Sequence, residues 1–145
     1  MSAEFDTYVE NAIKWAKEKA SLKEYMFKCL AFVEDAYGIS NNVEIFGGSC
    51  ARESADEYEA CKNSGIPPAG AFVFYDTYGT IHGEYKNYGH VGLHIGNGEI
   101  IHAWDKIRID NYLDVQKLPT APGWTSLKLI GWEPVERIFL GYRKK

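Results

Sequence analysis

The chain has 145 residues, 46% of them hydrophobic and 25% charged, with a formal net charge of −4. That length and mixture fit one globular domain over 1–145. They exclude the basic stripe on which nucleic-acid binding rests, and no apolar run reaches the ~18 residues of a membrane span.

Met1 to Asp6 is acidic and lacks an apolar run, so no secretory signal is expected. Export by the general route is then not encoded in this chain, and localisation stays open, with a removed signal as one route. Phe5 to Lys19 reads as a helix, capped by Asp6, with Tyr8, Ala12, Ile13, Trp15 and Ala16 at near-helical spacing. Tyr25 to Tyr37 reads as a second helix, stopped by Gly38 as its C-cap. Asn41 to Ser49 is a loop. Ala51 to Asn63 reads as a third helix, ended by Ser64-Gly65 and Pro67-Pro68. Then the period changes. Ala71 to Tyr75 is a strand by its aromatic and β-branched content. Asp76 to Tyr88 reads as a polar loop. His90 to Ile95 and Glu99 to Trp104 form a hairpin around Gly96-Asn97-Gly98. Ile107 to Asp110 adds a strand, Asn111 to Lys128 is irregular, and Leu129 to Pro134 and Arg137 to Tyr142 read as two closing strands. Helices first and strands second point to an α+β domain with an antiparallel sheet. Aromatics reach 14%, which serves core packing or lines a groove for peptide or sugar.

The cysteines are Cys29, Cys50 and Cys61, with no C-x-x-C spacing. Cys50 and Cys61 could pair in a secreted chain; three thiols are expected. Cys29 falls within the first turns of the second helix. The partial positive charge of a helix start, with Lys28 beside it, would favour a thiolate. A lone cysteine in a helix is otherwise a small core residue.

His90, Gly92 and His94 share one face of their strand; Val91, Leu93 and Ile95 share the other. The apolar set is expected to face the core and the histidines a cleft or solvent. Gly92 leaves room beside His90, for substrate or for close packing. His102 can orient His90 only from the same face. A two-residue Asn97-Gly98 turn that pairs 95 with 100 would set His102 opposite Leu93, on the wrong face. A three-residue Gly96-Asn97-Gly98 loop with a bulge pairs 95 with 99 and sets His102 opposite Gly92. A zinc site from His82, His90, His94 and His102 is the metal alternative, without a carboxylate or cysteine at useful spacing. No metal or cofactor is expected.

Three motifs run in order: Cys29 at a helix, the strand entry Pro68 to Phe74, and His90 to Ala103. Together they resemble the NlpC/p-sixty family of papain-like cysteine peptidases, from about Tyr8 to Trp104. The resemblance implies a papain-like α+β fold, with N-terminal helices packed on a central antiparallel β-sheet. It implies Cys29 as nucleophile, His90 as general base and His102 as the polar residue that orients the imidazole. Tyr25 is the nearest candidate for the family's oxyanion-binding tyrosine. The implied substrate is a peptidoglycan stem peptide, cut at a D-glutamyl bond. The chain departs from the family at Lys28-Cys29-Leu30-Ala31, where Asp-Cys-Ser-Gly is common, and at Ala71, where an acidic residue is common. It resembles a divergent branch. Lecithin:retinol-type acyltransferases place His before Cys and fit less well; CHAP amidases keep Cys first and are the neighbouring family. The competing readings are a non-catalytic binding or assembly module on this fold, and an amidase or acyl-transfer enzyme using the same Cys and His. Residues 111–145 lie outside the shared motifs, as a groove wall or as the completion of the sheet.

Overall fold

The computed structural model describes residues 3–145. Helix α1 covers Ala3–Glu18 and buries Val9, Ala12 and Ala16. Asp6 lies inside its first turn, where its charge meets the positive helix end, and is not its cap. Helix α2 covers Cys29–Asn41. It begins later than the expected Tyr25 and runs past Gly38. Its C-cap is Asn42 at a left-handed φ of 53°, whose N–H donates to the Gly38 carbonyl; asparagine visits that conformation more readily than most residues. Residues 25–28 are turns and coil, with Phe27 exposed at a φ of 62°. Helix α3 covers Ala51–Glu57, shorter than the sequence suggests, because Glu59 turns left-handed at φ 56° before a single 3-10 turn, Ala60–Lys62.

Five strands form an antiparallel sheet: β2 (Phe72–Asp76), β5 (His90–Gly96), β6 (Glu99–Ala103), β7 (Ile107–Asn111) and β8 (Lys128–Glu133), in the order β7-β6-β5-β2-β8. The helices cover one face, against Phe72, Phe74, Val91, Leu93 and Ile101. The fold is therefore the α+β, papain-like arrangement with helices on a central antiparallel sheet.

The other face is not open. Val73, Tyr75 and Ile100 on it pack with Tyr112, Val115 and Leu127 into a second apolar cluster. Burial on both faces explains why Phe72-Val73-Phe74-Tyr75 is a continuous apolar run. It also corrects, for His94 and His102, the expectation that the histidine face meets cleft or solvent: both are fully covered, whereas His90 on the same face lines a cleft.

Two further elements differ from the sequence reading. The supposed polar loop at 76–88 is a hairpin, β3 (Tyr78–Ile81) and β4 (Glu84–Asn87). It turns at His82 and Gly83, with φ of 52° and 79°, the pair of left-handed residues a two-residue hairpin turn needs. Arg137 to Tyr142 is not a strand. Residues Val135–Ile138 form a short helix, α4, and the closing pair is β9 (Arg143–Lys144) on β1 (Val43–Glu44).

Candidate active site

The β5–β6 hairpin decides which side chains meet. Gly96 pairs with Glu99 around a two-residue Asn97-Gly98 turn, with φ of 56° and 76°. A bulge at Ile95 then shifts the register, so that His94 pairs with Ile100 and Leu93 with Ile101. The turn is thus shorter than the three-residue loop expected, but the bulge restores the same register. Continued by one residue, it sets His102 opposite Gly92. A Cβ on Gly92 would lie 3.1 Å from His102 Cβ and 2.5 Å from Ile100 Cδ1. The missing side chain therefore serves close packing of His102.

His90 opens β5, paired with Tyr75 of β2. Gly89 ahead of it has a φ of 71°, and a Cβ there would sit 2.6 Å from the Arg52 backbone nitrogen. That contact lets the Arg52 N–H donate to Tyr88 O at 2.9 Å, which pins the entry of β5 to the start of α3. Only glycine suits both the conformation and the approach.

Cys29 is the first residue of α2. It shares a cleft of about 720 Å³ with His90, Cys50, Tyr88, Trp104 and Trp124. The Cys29 thiol lies against the backbone of Val91, the residue after His90, and against the N–H groups of Leu30 and Cys29 itself. Those groups favour a thiolate, as a helix start should. Burial works the other way and prevails, pushing the thiol up to about 11. Burial first, and then the neighbouring His102, hold His90 well below the usual histidine value. At neutral pH the pair is therefore thiol and neutral imidazole. Alkylation of Cys29 by iodoacetamide should be slow at pH 7 and rise steadily beyond pH 9. A rate plateau already present near pH 5 would instead reveal a preformed ion pair.

His90 Nε2 lies 2.7 Å from His102 Nδ1, with the rings edge-to-face at 5.0 Å. His102 Nε2 lies 2.8 Å from Asp110 Oδ2. Arg108 grips that carboxylate twice, Nε to Oδ2 at 2.8 Å and Nη2 to Oδ1 at 3.2 Å, and reaches Asp105 at 3.3 Å. Burial would raise the Asp110 carboxyl; the hydrogen bonds from His102 and Arg108 together outweigh it and hold it below the usual value. The sequence reading missed Asp110. Its signal is the alternation Ile107-Arg108-Ile109-Asp110: with His102 paired to Arg108 across β6–β7, both polar residues fall on the histidine face.

The structure brings Cys29, His90 and His102 together, but not Tyr25. The Tyr25 hydroxyl donates to Asp35 Oδ2 at 2.7 Å, and its ring packs on Trp15 and Phe32. It is not among the residues that line the cleft. Tyr25→Phe should leave turnover unchanged and cost about 1 kcal/mol in urea unfolding, the worth of one hydrogen bond. A fall in turnover with unchanged stability would return the hydroxyl to the oxyanion. His94 is buried at the second cluster: its Nδ1 lies 3.1 Å from the Pro68 carbonyl and its ring is edge-to-face with Tyr112. His82 sits in the β3–β4 turn. Among the described residues no group of three or more His, Cys, Asp or Glu could hold a metal ion. All three cysteines are free, so Cys50 and Cys61 do not pair.

No helix of the described residues is long and apolar enough to cross a membrane. No curated protein matches the sequence. A family model does, over residues 13–120. This span runs from within α1 through β7, taking in Cys29, both paired histidines and Asp110. With that match over well more than half of its length, the chain belongs to the NlpC/P60 family, whose members are in general cysteine peptidases and amidases of the cell wall.

Proposed function

We propose that the protein is a thiol hydrolase that cleaves an amide bond in the stem peptides of bacterial peptidoglycan, at a D-glutamyl bond. The observation that carries this reading is one cleft shared by Cys29 at a helix start and His90, whose ring is held by His102 at 2.7 Å. Nucleophile, base and orienting group are then in sequence. Because thiol and imidazole are both neutral at rest, His90 takes the Cys29 proton as sulfur attacks the carbonyl, rather than beforehand. The Cys29 N–H, in the first helical turn, receives the developing oxyanion. His90 then gives its proton to the leaving amine, and water hydrolyses the thioester.

The test is to incubate the wild-type protein with synthetic stem peptides and purified peptidoglycan and to follow products by mass spectrometry. A new amino terminus and a transient mass increase on Cys29 are expected. The burial that pushes the Cys29 thiol up favours a second reading, a binding module. That reading predicts a bound peptide, no new terminus and no adduct at any pH.

A further inference from the structure

We infer that Asp110, fixed by Arg108, is a positioning residue that sets the tautomer of both His102 and His90 and so leaves His90 with a free basic nitrogen. The inference rests on the hydrolase reading for its consequence, but on geometry alone for its content. Proton placement follows from one fixed end. An ionised carboxylate accepts hydrogen bonds and donates none. Asp110 Oδ2 lies 2.8 Å from His102 Nε2, so Nε2 carries the His102 proton. A neutral imidazole has one ring proton, which leaves His102 Nδ1 as an acceptor. That atom lies 2.7 Å from His90 Nε2, so Nε2 carries the His90 proton. His90 Nδ1 is then the unprotonated nitrogen, on a residue that lines the cleft with Cys29.

Reversing the chain removes the base. If His102 were protonated on Nδ1 it would donate to His90 Nε2. The single proton of His90 would then sit on Nδ1, and no lone pair would be left to receive the thiol proton. Nothing in the two histidines themselves chooses between these arrangements; the carboxylate does. Arg108 supports the carboxylate without making the choice itself. Its two bonds to Asp110 leave Oδ2 aimed at His102, and a cation beside the carboxylate keeps it ionised. The unit is therefore four residues deep behind Cys29, spread over three neighbouring strands: His90 on β5, His102 on β6, Arg108 and Asp110 on β7. Asp110 touches no reacting atom.

The tautomers can be read directly. The chain has four histidines, few enough to assign each ring in long-range ¹H–¹⁵N spectra of the uniformly labelled protein at pH 7, with no substrate. In the wild type, His102 and His90 should both be the Nε2–H form. In Asp110→Ala both rings should become mixtures, and kcat/KM on a cleaved stem peptide should fall about 10- to 100-fold, the usual cost of losing an orienting partner. In Arg108→Met, which keeps the carboxylate, both tautomers should persist. An Nδ1–H His102 in the wild type would overturn the inference, as would an unchanged His90 tautomer in Asp110→Ala. Mixed tautomers in Arg108→Met would overturn the assignment to Asp110. Should Asp110→Ala not fold, the wild-type and Arg108→Met spectra still decide. Failure of the wild type to cut any wall peptide would sink the hydrolase reading while leaving the tautomer result intact, so the two failures are distinguishable.

Discussion

Cys29→Ala should abolish stem-peptide hydrolysis, by at least about 10,000-fold in kcat/KM, because it removes the sulfur on which the thioester forms. The folded state should survive. Cys29 is only partly buried at the start of α2, and exchanging its sulfur for hydrogen should cost no more than about 1–2 kcal/mol. Circular dichroism and urea unfolding check the second statement, and steady-state cleavage checks the first. His90→Ala should lose about 100- to 10,000-fold, the range for a general base. His102→Ala should lose less, about 10- to 100-fold, since it acts through His90. Retained hydrolysis in Cys29→Ala would refute the nucleophile. A larger loss in His102→Ala than in His90→Ala would mean that their roles are exchanged.

Glu133→Gln should stabilise the protein at alkaline pH and hardly at all in acid. Glu133 is fully buried at the end of β8, opposite Phe72, and neither carboxyl oxygen has a hydrogen-bond partner among the described residues. Burial pushes its carboxyl up to about 10, against a smaller lowering by Arg137. In the unfolded chain the same group titrates near 4.5. The folded state therefore keeps a proton that the unfolded state releases. Its contribution is whole below about pH 4.5 and is lost as pH rises toward about 10, at ~1.4 kcal/mol per pH unit. At pH 8 glutamine should gain on the order of 3–5 kcal/mol, and at pH 4.5 close to nothing. The buried histidines act in the opposite sense. His90, His94 and His102 are all lowered, chiefly by burial, so their contribution fades as pH falls below about 6.5. They are common to wild type and variant and cancel in the difference. Urea unfolding of both proteins from pH 4.5 to 8 measures it. A difference that does not change with pH would show that Glu133 is not held protonated.

Most of the site was legible because it depends on local rules. Cys29 precedes a helix-forming run, and His90, His94 and His102 lie on strands whose alternation is plain. What the sequence hid depends on partners distant in the chain. The histidine face looked like an open face because Tyr112, Val115 and Leu127 come from an irregular stretch with no periodicity to announce a second core. Asp110 was invisible as a site residue for the same reason: it reaches His102 only once β7 is laid beside β6. The hairpin at 78–87 was hidden by its composition, since β4 is entirely outside the buried core and reads as loop. Ile138 to Leu140 is an apolar run too short for periodicity to separate helix from strand. The thiol misled in a different way. The helix starts at Cys29 rather than at Tyr25, and burial outweighs its partial charge there.

Surface turns usually tolerate gained or lost residues. The turn between β5 and β6 is denied that freedom by the bulge at Ile95. Side chains alternate across a strand, so a change of one residue between His94 and Ile100 would carry His102 to the opposite face and bring Ile101 or Ala103 beside His90. An insertion of a single codon there would spare every residue of the cleft and still silence the protein. Changes of amino acid at Asn97 that keep a left-handed backbone would pass unnoticed. Among descendants of this gene, the length of that turn should vary less than its letters.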